Sequence, residues 1–401
     1  MKLLEIVSRA LTAAPLMIGL AAVPADAQTV RVGFVNSTSG PSASIGEQMD
    51  RAVRLYMQQN EAALAPIRIE IIRRDDTGPN PEVARRLTQE LITRDRVQLL
   101  TGYIYTPNAM SIAPLINEAR VPAIIMNAGT SAILRQSQMF TRTSFTMWQS
   151  AYPLGQWTSR QQNVRRSYTL VSDYAPGHDS EQAFIRGFTE GGGQNVAAVR
   201  MPMNTVDFAP FLQRVRDERP DALFIFVPAG VVARGIMKAY ADLGLAQAGI
   251  RLVGQGDITP DEELPNMTDV PTGIITMHHY SAAADRPANR AFVEAWRRAY
   301  GANSTPSFYS VGAWDAMAAI FHVIREQRGQ IDPDRTMQLL RGWQNPDSPR
   351  GPIRIDPETR DIIQNEYLRS LDRVDGRLIN REIETIPMVS DPWVRFNPPQ
   401  R

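Results

Sequence analysis

What most limits the folds open to this chain is an alternation that runs along it twice. Strand-like runs at 29–36, 67–76, 97–100 and 121–126 are separated by stretches of helical spacing at 45–59, 82–94 and 108–118. On the first helical stretch Met49, Val53, Tyr56 and Met57 share one face, and on the second Val83, Leu87 and Leu91 do so. The rhythm restarts with strands at 168–173, 196–202, 221–227, 250–256 and 273–281. Helices at 180–189, 208–219 and 233–243 lie between them, the last stopping at Gly244, and two more follow at 289–300 and 311–326. Strands alternating with helices predict parallel sheets with helices on both faces. Two such runs in 401 residues predict two doubly wound α/β lobes. The tail differs. GPIRID (351–356) and 365–383 predict a hairpin turning at Asp375-Gly376, and the Pro-rich end DPWVRFNPPQR an extended surface segment.

Charge and cysteine usage remove several functions. The formal net charge is +1, and the arginines are dispersed, which argues against a phosphate-tracking surface and a nucleic-acid partner. Only Lys2 and Lys238 are lysines, so nearly all positive charge is arginine. With no cysteine, disulfides, thiolate metal sites and cysteine nucleophiles are excluded. Lys2 and Arg9 precede or begin an apolar run at 11–23, too short for a comfortable membrane span, and Ala25-Asp26-Ala27 offers small residues before a cut. Residues 1–27 are expected to be a cleaved signal peptide, which places the mature chain in the periplasm; the competing expectation is an uncleaved anchor.

The search for catalytic motifs is negative: no GxSxG, GxxxxGK[ST] or HExxH is present. His278 and His279 are adjacent on an expected strand, which would point their rings to opposite faces and away from a shared metal. His178 and His322 have no metal partners at useful spacing. No metal and no cofactor are expected. Asp75 and Asp76 at a strand end could act as acid and base, but such pairs more often cap turns.

The loops behind the strands carry more. In parallel α/β sheets ligands bind beyond the carboxyl ends of strands. Four such ends are polar beyond what a turn requires: NSTSGPSASIG (36–46), TGYIYTPN (101–108), NAGTS (127–131) and DYAPG (173–177). Hydroxyls and amide N–H groups can hold a carboxylate, and tyrosine adds a flat wall with a hydroxyl.

The chain resembles the Leu/Ile/Val-binding type of periplasmic solute-binding protein that serves ABC importers. The resemblance rests on VRVGFVNSTSGPSASIG (30–46), DDTGPNPEVARRLTQELI (75–92) and the long stretch at 97–131. FTRTSFT (140–146), VPTGIITMHHYS (270–281) and SVGAWDAMAAI (310–320) continue it in the same order. It implies the type I periplasmic binding protein fold, two lobes joined by a three-strand hinge with ligand in the cleft. The implied division is 28–145 plus 278–363 for the first lobe and 146–277 plus 364–401 for the second. It also implies roles. Thr106 would hold a ligand carboxylate through its hydroxyl and amide, and Ala128, Gly129 and Thr130 would do so from the neighbouring strand. Ile45 would be a bulky wall, and Tyr105 would stand at the lip.

The second lobe departs from the amino-acid-binding pattern. Pro228, Ala229 and Gly230 stand where an aromatic side chain is common. In VGQGDIT (253–259) the position of the ammonium-binding glutamate falls near Gly256, with Asp257 one residue on. Either Asp257 substitutes or no ammonium is bound; Tyr174 and Trp148 could line a larger ligand. The expected function is therefore the substrate-binding component of an ABC importer. It would capture a small organic carboxylate, an aromatic acid or an amino acid, by hinge closure. Its partners would be that ligand and an inner-membrane ABC permease, and it would act as a monomer. An exported ligand sensor coupled to a signalling partner is the alternative, and an exported enzyme the reading that the missing motifs disfavour.

Overall fold

The structure is a computed structural model that describes residues 28–398. The expected signal peptide at 1–27 lies outside the described residues.

The first half builds one sheet. Strands β1 (Thr29–Asn36), β2 (Arg68–Asp75), β3 (Leu99–Gly102), β4 (Ala123–Ile125) and β5 (Phe140–Arg142) lie in the order β2-β1-β3-β4-β5, and every pairing is parallel. Helices α1 (Ala43–Asn60), α2 (Pro81–Thr93), α3 (Thr106–Ser111) and α4 (Ala113–Ala119) connect them. Helix α2 starts where Asn80 accepts from the Val83 amide at 3.2 Å, with Pro81 supplying the first helical φ. The single helix expected over 108–118 is instead two. It begins at Thr106 and breaks at Ile112, because Pro114 has no N–H for the carbonyl of Met110.

The second half is a mixed sheet. Its parallel part is β7 (Gln194–Met201), β6 (Arg166–Ser172), β8 (Ala222–Phe226), β9 (Arg251–Gln255) and β10 (Ile275–His278). Helices α5 (Met147–Ser159), α6 (Ala175–Glu190), α7 (Ala209–Glu218) and α8 (Val231–Asp242) accompany it. The tail hairpin, β13 (Ile362–Val374) with β14 (Arg377–Val389), adds antiparallel strands beside β10, and the short β12 (Ile353–Ile355) and β11 (Gln344–Asn345) complete that edge.

Helices α9 (Pro287–Tyr300), α10 (Phe308–Glu326) and α11 (Pro333–Leu340) return to the first lobe. Tyr56 of α1 packs edge-on against Trp314 and Phe321 of α10, and the Tyr300 hydroxyl of α9 donates to the Arg51 carbonyl at 2.7 Å. The chain thus passes between the lobes three times, after β5, after β10, and between α11 and β13.

Buried arginines bolt these crossings. Arg350 donates to the Ser144 carbonyl at 2.8 Å and pairs with the fully buried Asp315 of α10 at 2.7 Å. Arg369 of β13 donates to the Tyr280 carbonyl at 2.7 Å. A guanidinium offers five donors in a rigid fork, which suits the irregular carbonyls of crossing chain.

Two segments differ from expectation. Helix α5 is not visible as an amphipathic pattern because it is buried nearly all round and contains Pro153. The tail end is docked instead of lying extended. Its helix α12 (Trp393–Phe396) places Trp393 under the Arg135 guanidinium at 4.1 Å, and Phe396 lies 5.5 Å from the Trp148 ring.

Candidate ligand-binding cleft

The stretch behind β3 shows how sequence builds the rim. Gly102 at φ +107° and Tyr103 at φ +60° turn the chain sharply off the strand. Tyr103 drops into the core, where its hydroxyl meets Thr88 at 2.9 Å. Tyr105 and Thr106 then emerge at the cleft. Tyr105 shares a 2.6 Å hydrogen bond with Ser42, and Thr106 donates to the Thr130 hydroxyl at 3.1 Å.

Beneath them Asp76 ties the loops together. It accepts from Ser37 at 2.5 Å, from Asn108 at 2.8 Å and from the Gly78 amide at 3.3 Å. Burial pushes its pKa up and these donors pull it down. Asp75 accepts from the Thr38 and Thr77 amides, both at 2.9 Å. Both carboxylates are occupied in holding turns. Arg142 plays the same part for the neighbouring loop. It pairs with Asp361 through a 2.8 Å Nε bond and donates to the carbonyls of Ala128 at 2.8 Å and Thr130 at 2.9 Å.

A cavity lies where the two lobes meet. From the first lobe it is lined by Ile45, Ile104, Tyr105, Thr106, Asn127, Gly129 and, at the start of α10, Tyr309. From the second it is lined by Met147, Tyr174, Pro176, Phe226, Pro228 and Asp257. These residues enclose a cavity of about 20 Å³. That is room for roughly one water, so a ring-sized ligand enters only if the lobes part.

The structure brings together six of the ten residues expected at a binding site: Ile45, Tyr105, Thr106, Gly129, Tyr174 and Asp257. Thr130 sits one hydrogen bond behind Thr106. Ala128 contributes a carbonyl to Arg142, and Ala229 is buried beside the lining Pro228; neither lines the cavity. Trp148 does not line it either. One helix position on from the lining Met147, it points to the other side of α5, onto Tyr152 and Phe396.

The walls are aromatic. Tyr174 stacks on Phe226 with centroids 6.1 Å apart and an interplanar angle of 19°. Burial, reinforced by Tyr105 and Asp257, holds the Tyr174 hydroxyl well above its ordinary pKa. Burial, then Asp257 and Glu262, does the same for Tyr309. Both remain neutral O–H groups at physiological pH.

Sequence reasoning missed Tyr309, Met147 and Phe226, and it singled out the NAGTS loop without naming Asn127 itself. Tyr309 lies in the helix that resemblance singled out, one residue before its quoted part. The capping box of Thr146 and Gln149, a Thr-x-x-Gln signature, marks where α5 and Met147 begin. Glu262 does not line the cavity, but its carboxylate oxygens are buried and it acts electrostatically on the lining Tyr309. Burial, reinforced by Asp261 and Glu263, raises its pKa to about 8.

The two histidines correct an expectation. Strand β10 ends at His278, so His279 is free of the strand's alternation and its ring turns back, with the two Nδ1 atoms 2.7 Å apart. Among the described residues no group of three or more His, Asp or Glu side chains has the arrangement of a metal site. Among them, too, no helix is long and apolar enough to cross a membrane.

Comparison with known proteins agrees with this architecture. Residues 29–376 match the family model of the periplasmic binding proteins. A Leu/Ile/Val-binding protein homolog 6 from Brucella melitensis is 39% identical over 377 residues, covering 94% of this chain and 96% of that protein. An ABC-transporter solute-binding protein from Rhodopseudomonas palustris BisB5, solved with 3,4-dihydroxybenzoic acid, is 42% identical with a TM-score of 0.88. That match covers 91% of this chain and 99% of the other. A second, from Rhodopseudomonas palustris HaA2 with p-hydroxybenzoic acid, is 39% identical with a TM-score of 0.88, covering 92% and 100%. The chain belongs to the periplasmic binding protein family, as a substrate-binding protein of the Leu/Ile/Val-binding, type I fold.

Proposed function

We propose that this chain is the periplasmic component of an ABC importer and captures a small aromatic carboxylate by closing its two lobes over it. The observation that carries this reading is the composition of the cavity. A shelf of hydroxyls, Thr106 backed by Thr130, faces the stacked pair Tyr174 and Phe226 across a narrow gap. Hydroxyl donors suit a carboxylate, and flat aromatic walls suit a ring. The relatives solved with hydroxylated benzoic acids support the ligand class. Export through a cleaved leader and docking on an inner-membrane permease belong to the same reading.

The mechanism is capture without chemistry. In the open form the ring enters between the lobes and its carboxylate reaches the first-lobe shelf. Closure then buries the ring against Tyr174, Phe226 and Ile45, and the ligand favours whichever form it touches on both sides. A permease would distinguish the closed form by its shape.

Calorimetric titration of the purified mature protein with 4-hydroxybenzoate and with leucine tests the proposal. Binding of the aromatic acid, with leucine at least a hundredfold weaker, is the expected result. Tight binding of leucine with no heat from the aromatic acid would overturn it.

A further inference from the structure

Among the buried polar atoms beside the cavity that lack hydrogen-bond partners among the described residues, two lie close to one another: Oδ2 of Asp257 and Nε2 of His278. They are 3.6 Å apart, too far for a hydrogen bond between them. Asp257 lines the cavity directly. His278 is 1% exposed and lies behind it, with Phe308 at 4.3 Å between ring centroids.

The proton on His278 can be assigned from its neighbours. Its Nδ1 accepts the backbone N–H of His279 at 2.9 Å and faces Nδ1 of His279 at 2.7 Å. An Nδ1 that accepts carries no proton, so the neutral ring holds its proton on Nε2. Burial lowers the pKa of His278 to about 4, against the pull of Asp257, which keeps the ring neutral at physiological pH. The loop is pressed onto this pair: a side chain at Gly256 would overlap His278 and the Arg369 guanidinium. The site therefore presents one anionic acceptor and one neutral N–H donor at a spacing a single oxygen can bridge, at roughly 2.8 Å to each.

A group that both donates and accepts at one atom is a hydroxyl. We propose that Asp257 and His278 form a subsite for the ring hydroxyl of a hydroxylated aromatic acid. Asp257 Oδ2 takes its hydrogen bond, and the His278 Nε2–H donates to its oxygen. This rests on the aromatic-acid reading above and adds what selects within that class. An ammonium suits the pair poorly, because it has only donors and would meet the His278 N–H. A second carboxylate suits it poorly, because it would meet the Asp257 anion. Unsubstituted benzoate would leave both buried atoms unpaired.

The test needs no variant to begin. Titrating wild-type protein with 4-hydroxybenzoate, benzoate and 4-methoxybenzoate should show the first binding about 10–100-fold more tightly than either of the others, the range of a hydrogen bond to a charged group. The methoxy compound keeps the acceptor oxygen and lacks the proton that Asp257 needs. Asp257→Asn should then collapse the preference for 4-hydroxybenzoate over benzoate. His278→Gln should reduce the same ratio, which a merely structural role would leave alone. Equal affinities for the three acids in wild type, or an unchanged ratio in Asp257→Asn, would overturn the subsite while leaving aromatic-acid capture standing. Failure of all three acids to bind wild type, with leucine binding, would overturn both.

Discussion

The two faces of the cleft are built differently. On the first lobe the polar groups at the rim are mostly spoken for: Thr106 bonds to Thr130, Tyr105 to Ser42, and the loops beneath are tied to Asp76 and Arg142. The exceptions among the described residues are Asn127 at the cavity and, in the same loops, Asn36 and Asn108, each with an unpartnered Oδ1, and Ser131 with an unpartnered Oγ. On the second lobe Asp257 and His278, which ends β10 in the second sheet although the sequence division begins a first-lobe segment there, each have an unpartnered buried atom beside aromatic walls. A satisfied network is rigid, and an unsatisfied pair is costly until something completes it. If the proposed ligand class holds, the difference implies a division of labour, in which the first lobe grips a feature common to many acids and the second decides among them.

The largest effect should come from the floors of the two faces. Each rests on a buried arginine, but Arg142 is locked to Asp361, whereas Arg369 bonds to Thr276 at 3.1 Å and to a carbonyl, and feels its carboxylates only from a distance. Arg142→Met should cost about 3–5 kcal/mol of stability, because it orphans a buried carboxylate. Arg369→Met should cost clearly less. Denaturant unfolding of both variants gives the comparison, and equal losses would erase the contrast between the floors.

Next in size is the grip. Thr106→Ala should weaken an aromatic acid by about 1.5–3 kcal/mol without changing the melting temperature appreciably. Thr130→Ala, one bond further back, should lose less. Calorimetry that finds both affinities unchanged would remove the carboxylate from the first lobe.

A separate effect concerns protons on the second lobe. Glu262 is raised by burial to about 8 in the folded protein, against an ordinary value of 4.5. A raised carboxyl contributes stability fully below its unfolded pKa and loses that contribution as pH rises through the folded one. The wild type should therefore lose melting temperature between pH 5 and pH 8.5 more steeply than Glu262→Gln, by roughly 2–4 °C for each kcal/mol involved. Parallel curves would mean that this carboxyl is charged and solvated.

The smallest effect is an expected absence of one. Trp148→Phe should leave ligand affinity within twofold, because that ring packs on the docked tail and not on the cavity. A tenfold loss would put the Trp148 ring in the second-lobe wall beside Met147.

The same contrast governs what could be read from the sequence. The first lobe was legible because its strands β1 to β4 are short apolar or alternating runs, and β1, β3 and β4 are each followed by a loop whose polarity exceeds a turn's needs. Ile45, Tyr105, Thr106 and Gly129 follow from that pattern together with family resemblance. Asp257 was visible as a shifted acid, but its companion was not. His278 reads as an ordinary strand residue, and only the strand's end after it lets the His279 ring fold back and fix its tautomer. Trp148 was misplaced for a related reason: an aromatic on a helix buried on all sides carries no periodic sign of which side it faces. Tyr309 reaches the cleft through a helix distant in sequence, which local spacing does not encode.

A crystal structure of the protein with 4-hydroxybenzoate tests the central claim most directly, because it reports polarity. The account predicts the carboxylate at the Thr106 hydroxyl of the first lobe, with Thr130 behind it, and the ring along Tyr174 and Phe226. It places the ring hydroxyl between Asp257 Oδ2 and His278 Nε2. A ligand seated the other way round, with its carboxylate toward the second lobe, or one bound outside this cavity, would contradict it.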